Sequence, residues 1–235
     1  MRHVSSPAAT RPAAWQGQLA QRLTYLWPVK AAGTTAFMVL FFQAYFFVLR
    51  HPSRAPWVMP EIWLDRWVPF TPQAFAVYAF LWVYVSLPPA LIGNFRGLLR
   101  YTVWVTLLCA VSLLIFWAFP TQVPDAAIDW AVYPYLAFLK GIDASGNACP
   151  SLHVASAVFT ACWLHRLLQA MQAPRALVWT NHALCLAIAW STLATLQHVA
   201  LDALAGALLG AGCAWLSLHR AQSALRAPAL ALKAA

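Results

Sequence analysis

The sequence predicts an all-α fold, a polytopic membrane protein built as a six-transmembrane-helix bundle with both termini cytoplasmic, and three observations predict it. Of 235 residues, 62% are hydrophobic and only 9% are charged, against about 25% charged in soluble domains. Apolar stretches close to the ~20 residues that cross a bilayer fall at about 31–49, 75–93, 101–119 and 152–171. A longer one covers 178–217; at ~1.5 Å per residue it would reach about 60 Å, twice the hydrocarbon thickness. It therefore divides at the polar cluster "STLATLQH", Ser191 to His198, which makes six spans.

The third observation is where the basic residues fall. With the N-terminus in the cytoplasm, eleven of the fifteen lie on the inner side, among them Arg22, Lys30, Arg96, Arg100, Arg166 and Arg175. The outer loops hold only Arg50, Arg54, Arg66 and Lys140. That asymmetry sets the orientation. The net charge of +9 is then mostly cytoplasmic, where it meets anionic lipid headgroups rather than nucleic acid.

Taken along the chain, residues 1–29 read as a polar cytoplasmic tail, 30–217 as one six-span membrane domain and 218–235 as an Ala-rich cytoplasmic tail. The first apolar run begins near residue 31 and is long enough to span and stay, so it is expected to act as its own insertion signal. The outer loop at 50–74 carries Trp57, Trp63 and Trp67 between Pro56, Pro60 and Pro72, a composition suited to the membrane interface. The outer loop at 120–150 ends in "NACPSLH". No internal repeat is visible, and a transporter built from repeats usually shows one. Five cysteines have no C-x-x-C pairing; Cys109, Cys162, Cys185 and Cys213 lie in spans and read as small packing residues, with Cys149 beside Pro150 as the exception.

Chemistry gathers at the outer ends of the last three spans. Pro150 fits the first helical position, so span four is expected to begin there with Ser151 and His153 in its first turn, a place where free N–H groups and the dipole favour an anion. In "STLATLQHVALDALAGALLG", His198 and Asp202 are four apart and share a helix face; Ser191 and Thr195 extend that polar side. Asp202 is the one acidic residue inside a span, and a membrane-embedded carboxylate is costly enough to need a partner and a task. Gly206 and Gly210 read as close helix packing. Because span five runs outward and span six returns, Ser151, His153, His198 and Asp202 can converge at one depth. Two imidazoles and a carboxylate suggest a metal site or an acid, base and nucleophile set. Zinc sites usually show a more compact ligand pattern such as H-E-x-x-H, so no metal and no cofactor is expected.

"PSLH" at 150–153 followed by "S-T-x5-H-x3-D" from Ser191 to Asp202 resembles the second and third motifs of the type-2 phosphatidic acid phosphatase superfamily, P-S-G-H and S-R-x5-H-x3-D. The resemblance covers about 147–210 by motif and the rest by topology. It implies metal-independent phosphoryl transfer in which His198 attacks phosphorus and forms a phosphohistidine, Asp202 holds the other ring nitrogen, His153 protonates the leaving oxygen and then activates water, and Ser151 bonds a phosphoryl oxygen. The chemistry suits these groups: imidazole is a competent nucleophile near pH 7, a carboxylate steadies the cation, and a second imidazole serves as acid and base.

Two positions depart from the family pattern. Thr192 stands where the third motif has Arg, and no K-x6-R-P motif appears at the outer end of span three, which reads "FPTQVPD", Phe119 to Asp125. Phosphoryl transfer needs positive potential around the equatorial oxygens; Lys140, the helix starts after Pro150 and near His198, and Ser191, Thr192 and Thr195 are the expected phosphate contacts. "PSLH" with Ser-Thr resembles most the branch of inositol phosphorylceramide and sphingomyelin synthases, which transfer headgroups. The leading expectation is a lipid phosphatase in a bacterial inner membrane, acting on a phosphatidate or polyprenyl diphosphate type of lipid at the outer face. A lipid phosphotransferase with an alcohol acceptor and a non-enzymatic carrier with a His/Asp relay are the alternatives.

Overall fold

The computed structural model of the chain describes residues 14–143 and 146–219, together with Ala221 and Leu225. Among these, nine α-helices follow in order: α1 (Trp15–Thr24), α2 (Trp27–Arg50), α3 (Phe75–Ala79), α4 (Leu81–Leu91), α5 (Phe95–Ala118), α6 (Pro134–Asp143), α7 (Leu152–Ala170), α8 (Arg175–Ala194) and α9 (Ala200–Leu218). The long apolar run at 178–217 does divide inside the polar cluster. Thr195 to Val199 form the break, and Leu196 takes the left-handed conformation at φ 55°, a cost of about 1 kcal/mol for a residue with a side chain.

Five segments are long and apolar enough to cross a membrane: Trp27–Arg50, Pro72–Leu91 (which holds α3 and α4), Phe95–Ala118, Arg175–Ala194 and Ala200–Leu218. The chain is a multi-pass membrane protein. α7 matches the expected fourth span in length but is not among the five, because His153, Ser156, Thr160, His165, Arg166 and Gln169 dilute its hydropathy. Its place in the bundle explains the tolerance. α7 packs against α4, α5, α8 and α9, with Val154, Ala155, Ala157, Phe159, Ala161, Trp163, Leu164 and Leu167 buried, so neighbouring helices rather than lipid cover much of its surface.

α7 and α9 run in the same direction, pressed together through two glycines. A Cβ on Gly206 would strike Ser151 O, and one on Gly210 would strike Ala155 O. The Gly206–Gly210 stripe is thus the close packing expected of small residues one turn apart, and it sets α9 against the first turns of α7.

One end of the bundle is held by cations on helix C-termini. Lys30 Nζ donates to Arg22 O at 2.7 Å and Ala90 O at 2.8 Å, and Arg22 donates to Leu91 O at 3.3 Å and Leu225 O at 2.8 Å. Arg100 donates to Ser217 O and His219 O. These side chains answer the negative ends of α4 and α9. Arg22 lies in the stretch expected to be a polar tail, yet it is only 1% exposed, within helix α1; burial lowers its pKa from the ordinary arginine range. The local sequence could not show this, because the carbonyls it binds are remote.

At the opposite end the two long loops are stitched together. β1 (Trp57–Val58) pairs in parallel with β2 (Thr121–Gln122), Trp57 opposite Thr121 and Val58 opposite Gln122. Gln122 also bridges Gly146, and Cys149 N–H donates to Thr121 Oγ1 at 2.9 Å. Trp57, Trp63 and Trp67 stay exposed. α6 lies within the second loop, 120–150.

Candidate active site

Helix α7 begins two residues later than expected. Ser151 is its N-cap, accepting Val154 N–H at 3.3 Å, and Pro150 precedes the cap. A serine oxygen at the cap satisfies a first-turn donor that proline could not, while Ser151 N–H is drawn to Asp202 O at 2.9 Å. The start of α7 is therefore tied to α9. His153 falls in the first turn as expected. The N–H groups of Leu152 and His153 have no acceptor among the described residues, a small anion-binding edge of the kind helix starts provide.

His198 is placed by the end of α8. With Leu196 left-handed, the N–H groups of Gln197 and His198 both return to Thr192 O, at 3.0 and 3.2 Å, which closes the helix and swings His198 toward α7. Asp202, in the first turn of α9, is fully buried; its Oδ2 accepts Val199 N–H at 3.1 Å and lies 3.6 Å from His198 Nδ1. On the other side of the ring, His198 Nε2 stands 3.4 Å from His153 Nδ1, and His153 Nε2 stands 2.6 Å from Tyr78 Oη. Asp202, His198, His153 and Tyr78 thus form one continuous row.

The other expected residues divide into two groups. Lys140 reaches the site's edge: Nζ donates to Leu196 O at 2.7 Å, two residues before His198, and lies over the Trp130 ring at 5.2 Å. The hydroxyls of Ser191, Thr192 and Thr195 turn back onto Ile188 O, Ala189 O and Ser191 O of their own helix, and none of the three lines the cavity. Their protons close α8, and they reach His198 only through the backbone.

Two residues of the site went unread in the sequence. Tyr78 is one. The other is Asp65 of the loop after α2, whose Oδ1 accepts Ala200 N–H at 2.7 Å. Together with Asp202 Oδ2 on Val199 N–H, it takes up two donors of the helix start near His198 that was expected to supply positive potential to a phosphate. Cys149 lies beside Asp202, and burial and that carboxylate push its thiol up to about 11. Among the described residues no group of three or more His, Cys, Asp and Glu side chains is placed to hold a metal ion.

The row of polar groups closes one end of a cavity of about 350 Å³. Its walls come from α2, α3, α4 and α5, including Phe41, Trp82 and Leu98, and one end is formed by His153 and His198. Along α2 it extends from Val29 to Phe46, which at ~1.5 Å per residue is about 25 Å. No arginine lines it among the described residues.

No curated protein and no solved structure matches the chain. A protein-family model does match, over residues 115–226. That stretch contains the N-cap of α7, both histidines and Asp202, and over it the chain is similar to the PAP2 superfamily.

Proposed function

We propose that the protein is an integral-membrane lipid phosphatase that hydrolyses a lipid phosphate or diphosphate through a phosphohistidine on His198. The match of residues 115–226 to the PAP2 superfamily supports a lipid phosphatase-type activity in general terms. The observation that carries the finer reading is that His153 and His198 form the end wall of a long apolar cavity among membrane-crossing helices. Such a site accepts a phosphate attached to a long hydrocarbon chain, with the chain along α2 and the phosphate beside the imidazoles.

With the proton on Nδ1 facing Asp202, His198 Nε2 is the free nucleophile. It attacks phosphorus, the bond to the leaving oxygen breaks, and that oxygen takes a proton from His153. Water then gives a proton to His153 as it attacks phosphorus, the P–N bond breaks, and inorganic phosphate leaves. The N–H groups of Leu152 and His153, with Lys140 at the edge, offset charge on the equatorial oxygens. Reacting atoms need about 3–3.5 Å between them, so the substrate must part the two rings, which stand 3.4 Å apart. The site sits at the end of the bundle opposite Arg22, Lys30 and Arg100, which by the positive-inside rule is the outer, periplasmic face of an inner membrane.

A second reading, transfer of a headgroup from a lipid phosphodiester to an alcohol, is favoured by the scarcity of cations. Thr192 replaces the motif arginine and its hydroxyl is turned onto Ala189 O. A diester carries one negative charge, whereas a monoester carries about 1.5–2.

The deciding experiment is phosphate release by purified protein over a panel of phosphatidate, polyprenyl diphosphate and phosphodiester lipids, with chelator present and alcohol acceptors added in parallel. Phosphate release that survives chelation supports hydrolysis, and a product carrying the alcohol supports transfer. Turnover that is lost with chelator and restored by zinc or magnesium overturns the metal-independent mechanism.

A further inference from the structure

The two histidines of the site have the same side chain and are in contact, yet hydrolysis needs them to do different work. His198 must accept a phosphoryl group and carry a positive ring. His153 must give up a proton and take one back in every turnover. Their partners differ accordingly: His198 Nδ1 faces the Asp202 carboxylate at 3.6 Å, whereas His153 Nε2 faces the Tyr78 hydroxyl at 2.6 Å.

We propose that Tyr78 is a positioning residue of the reaction, one that binds His153 Nε2 and so makes Nδ1 the nitrogen that exchanges protons with substrate and water. The proposal rests on the phosphohistidine reading above. A phenol hydroxyl both donates and accepts. It can accept Nε2–H from either the imidazolium or the neutral ring, and it carries no charge that would hold the proton on His153 as a carboxylate would. When Nδ1 gives its proton to the leaving oxygen, Nε2–H stays on Tyr78. When water is deprotonated, the proton returns to Nδ1 and the imidazolium is restored.

The surroundings keep this geometry. Tyr78 is 3% exposed, with its ring centroid 4.6 Å from that of His153 and the planes 31° apart. Trp82 stands edge-on to the same imidazole at 6.0 Å. Tyr78 rides on α3, whose lead-in is fastened to the end of α8 by Thr71 N–H on Ala194 O at 2.8 Å. The tyrosine and the His198 turn are therefore held in one frame.

The test is Tyr78→Phe, which keeps the ring and removes the hydroxyl. With a lipid phosphate whose leaving group is a poor one, kcat should fall about ten- to hundredfold, as a displaced catalytic group costs, with KM little changed. With an activated aryl phosphate the first step no longer needs the acid, so labelled phosphoenzyme should accumulate on His198. ¹⁵N spectra of histidine-labelled protein should show His153 in one tautomer in the wild type and in a mixture in Tyr78→Phe. Equal slowing of both substrates with an unchanged tautomer, accompanied by a lower Tm, would assign Tyr78 a structural role and overturn the proposal. So would unchanged kinetics in a wild-type background that forms the His198 adduct, and in that case the phosphohistidine reading stands. Absence of any turnover or adduct in the wild type overturns both.

Discussion

Asp65 Oδ1 accepts Ala200 N–H at 2.7 Å while its Oδ2 accepts Ile62 N–H at 2.8 Å, so one half-buried carboxylate of the loop after α2 caps the helix that carries Asp202. Asp65→Ala should lower stability by about 0.5–2 kcal/mol, the usual cost of losing a cap. Asp65→Asn, which keeps an acceptor, should lose less. Unfolding in detergent micelles measures both, and equal losses would show that the charge, not the hydrogen bond, matters.

His198→Ala should abolish turnover, because it removes the imidazole that faces Asp202. His153→Ala should be slowed about 10²–10⁴-fold, the usual contribution of an acid–base group, and should accumulate an acid-labile, base-stable phosphoenzyme when the leaving group is good. Normal turnover by His198→Ala would end the phosphohistidine reading.

Gly206→Ala should destabilise the bundle by about 1–3 kcal/mol, the cost of overpacking, since its new Cβ meets the Ser151 carbonyl, part of the rigid backbone. The push falls on the cap of α7, so activity should drop with stability. Gly212 has nothing within 4 Å of an added Cβ, and Gly212→Ala should be neutral or stabilising by up to about 1 kcal/mol through helix propensity.

Gly33 lines the cavity on α2 near Lys30, and an added Cβ there also meets open space. Gly33→Trp should fill the far end of the cavity without disturbing the fold. Lipid phosphates with long chains should show a raised KM, while short-chain analogues keep theirs. A uniform effect across chain lengths would remove the hydrocarbon chain from this cavity.

Lys140→Ala should lower kcat/KM about ten- to hundredfold, the scale of a charge-assisted hydrogen bond worth roughly 1.5–3 kcal/mol, with Lys140→Arg largely tolerated. A loss confined to kcat means that Lys140 meets charge developing in the transition state, and a loss confined to KM means that it holds the substrate. Unchanged kinetics would limit Lys140 to closing the His198 turn through Leu196 O.

What the sequence determined by itself is what local chemistry determines. Transfer of apolar segments into a bilayer depends on length and composition, so the limits of α2, α5, α8 and α9 were legible to within about two helical turns, and so was the break at the polar cluster before His198. The i,i+4 spacing put His198 and Asp202 on one face, and the alternating direction of the spans placed them with Ser151 and His153 at one end of the bundle. Only the tertiary structure decided which groups those residues meet. Tyr78 sits among aromatic and aliphatic residues in "FAVYAFLWVYV", where nothing distinguishes its hydroxyl from that of Tyr84, which bonds Asn181 instead. Asp65 finds its donor 135 positions away, and Arg22 finds an acceptor 203 away. The hydroxyls of Ser191, Thr192 and Thr195 share the polar cluster with His198, yet they are spent on their own helix. Hydropathy and periodicity are sums over neighbours in the chain, whereas a buried polar group must be satisfied by whatever packing brings within about 3 Å of it, and that partner is chosen by the whole bundle.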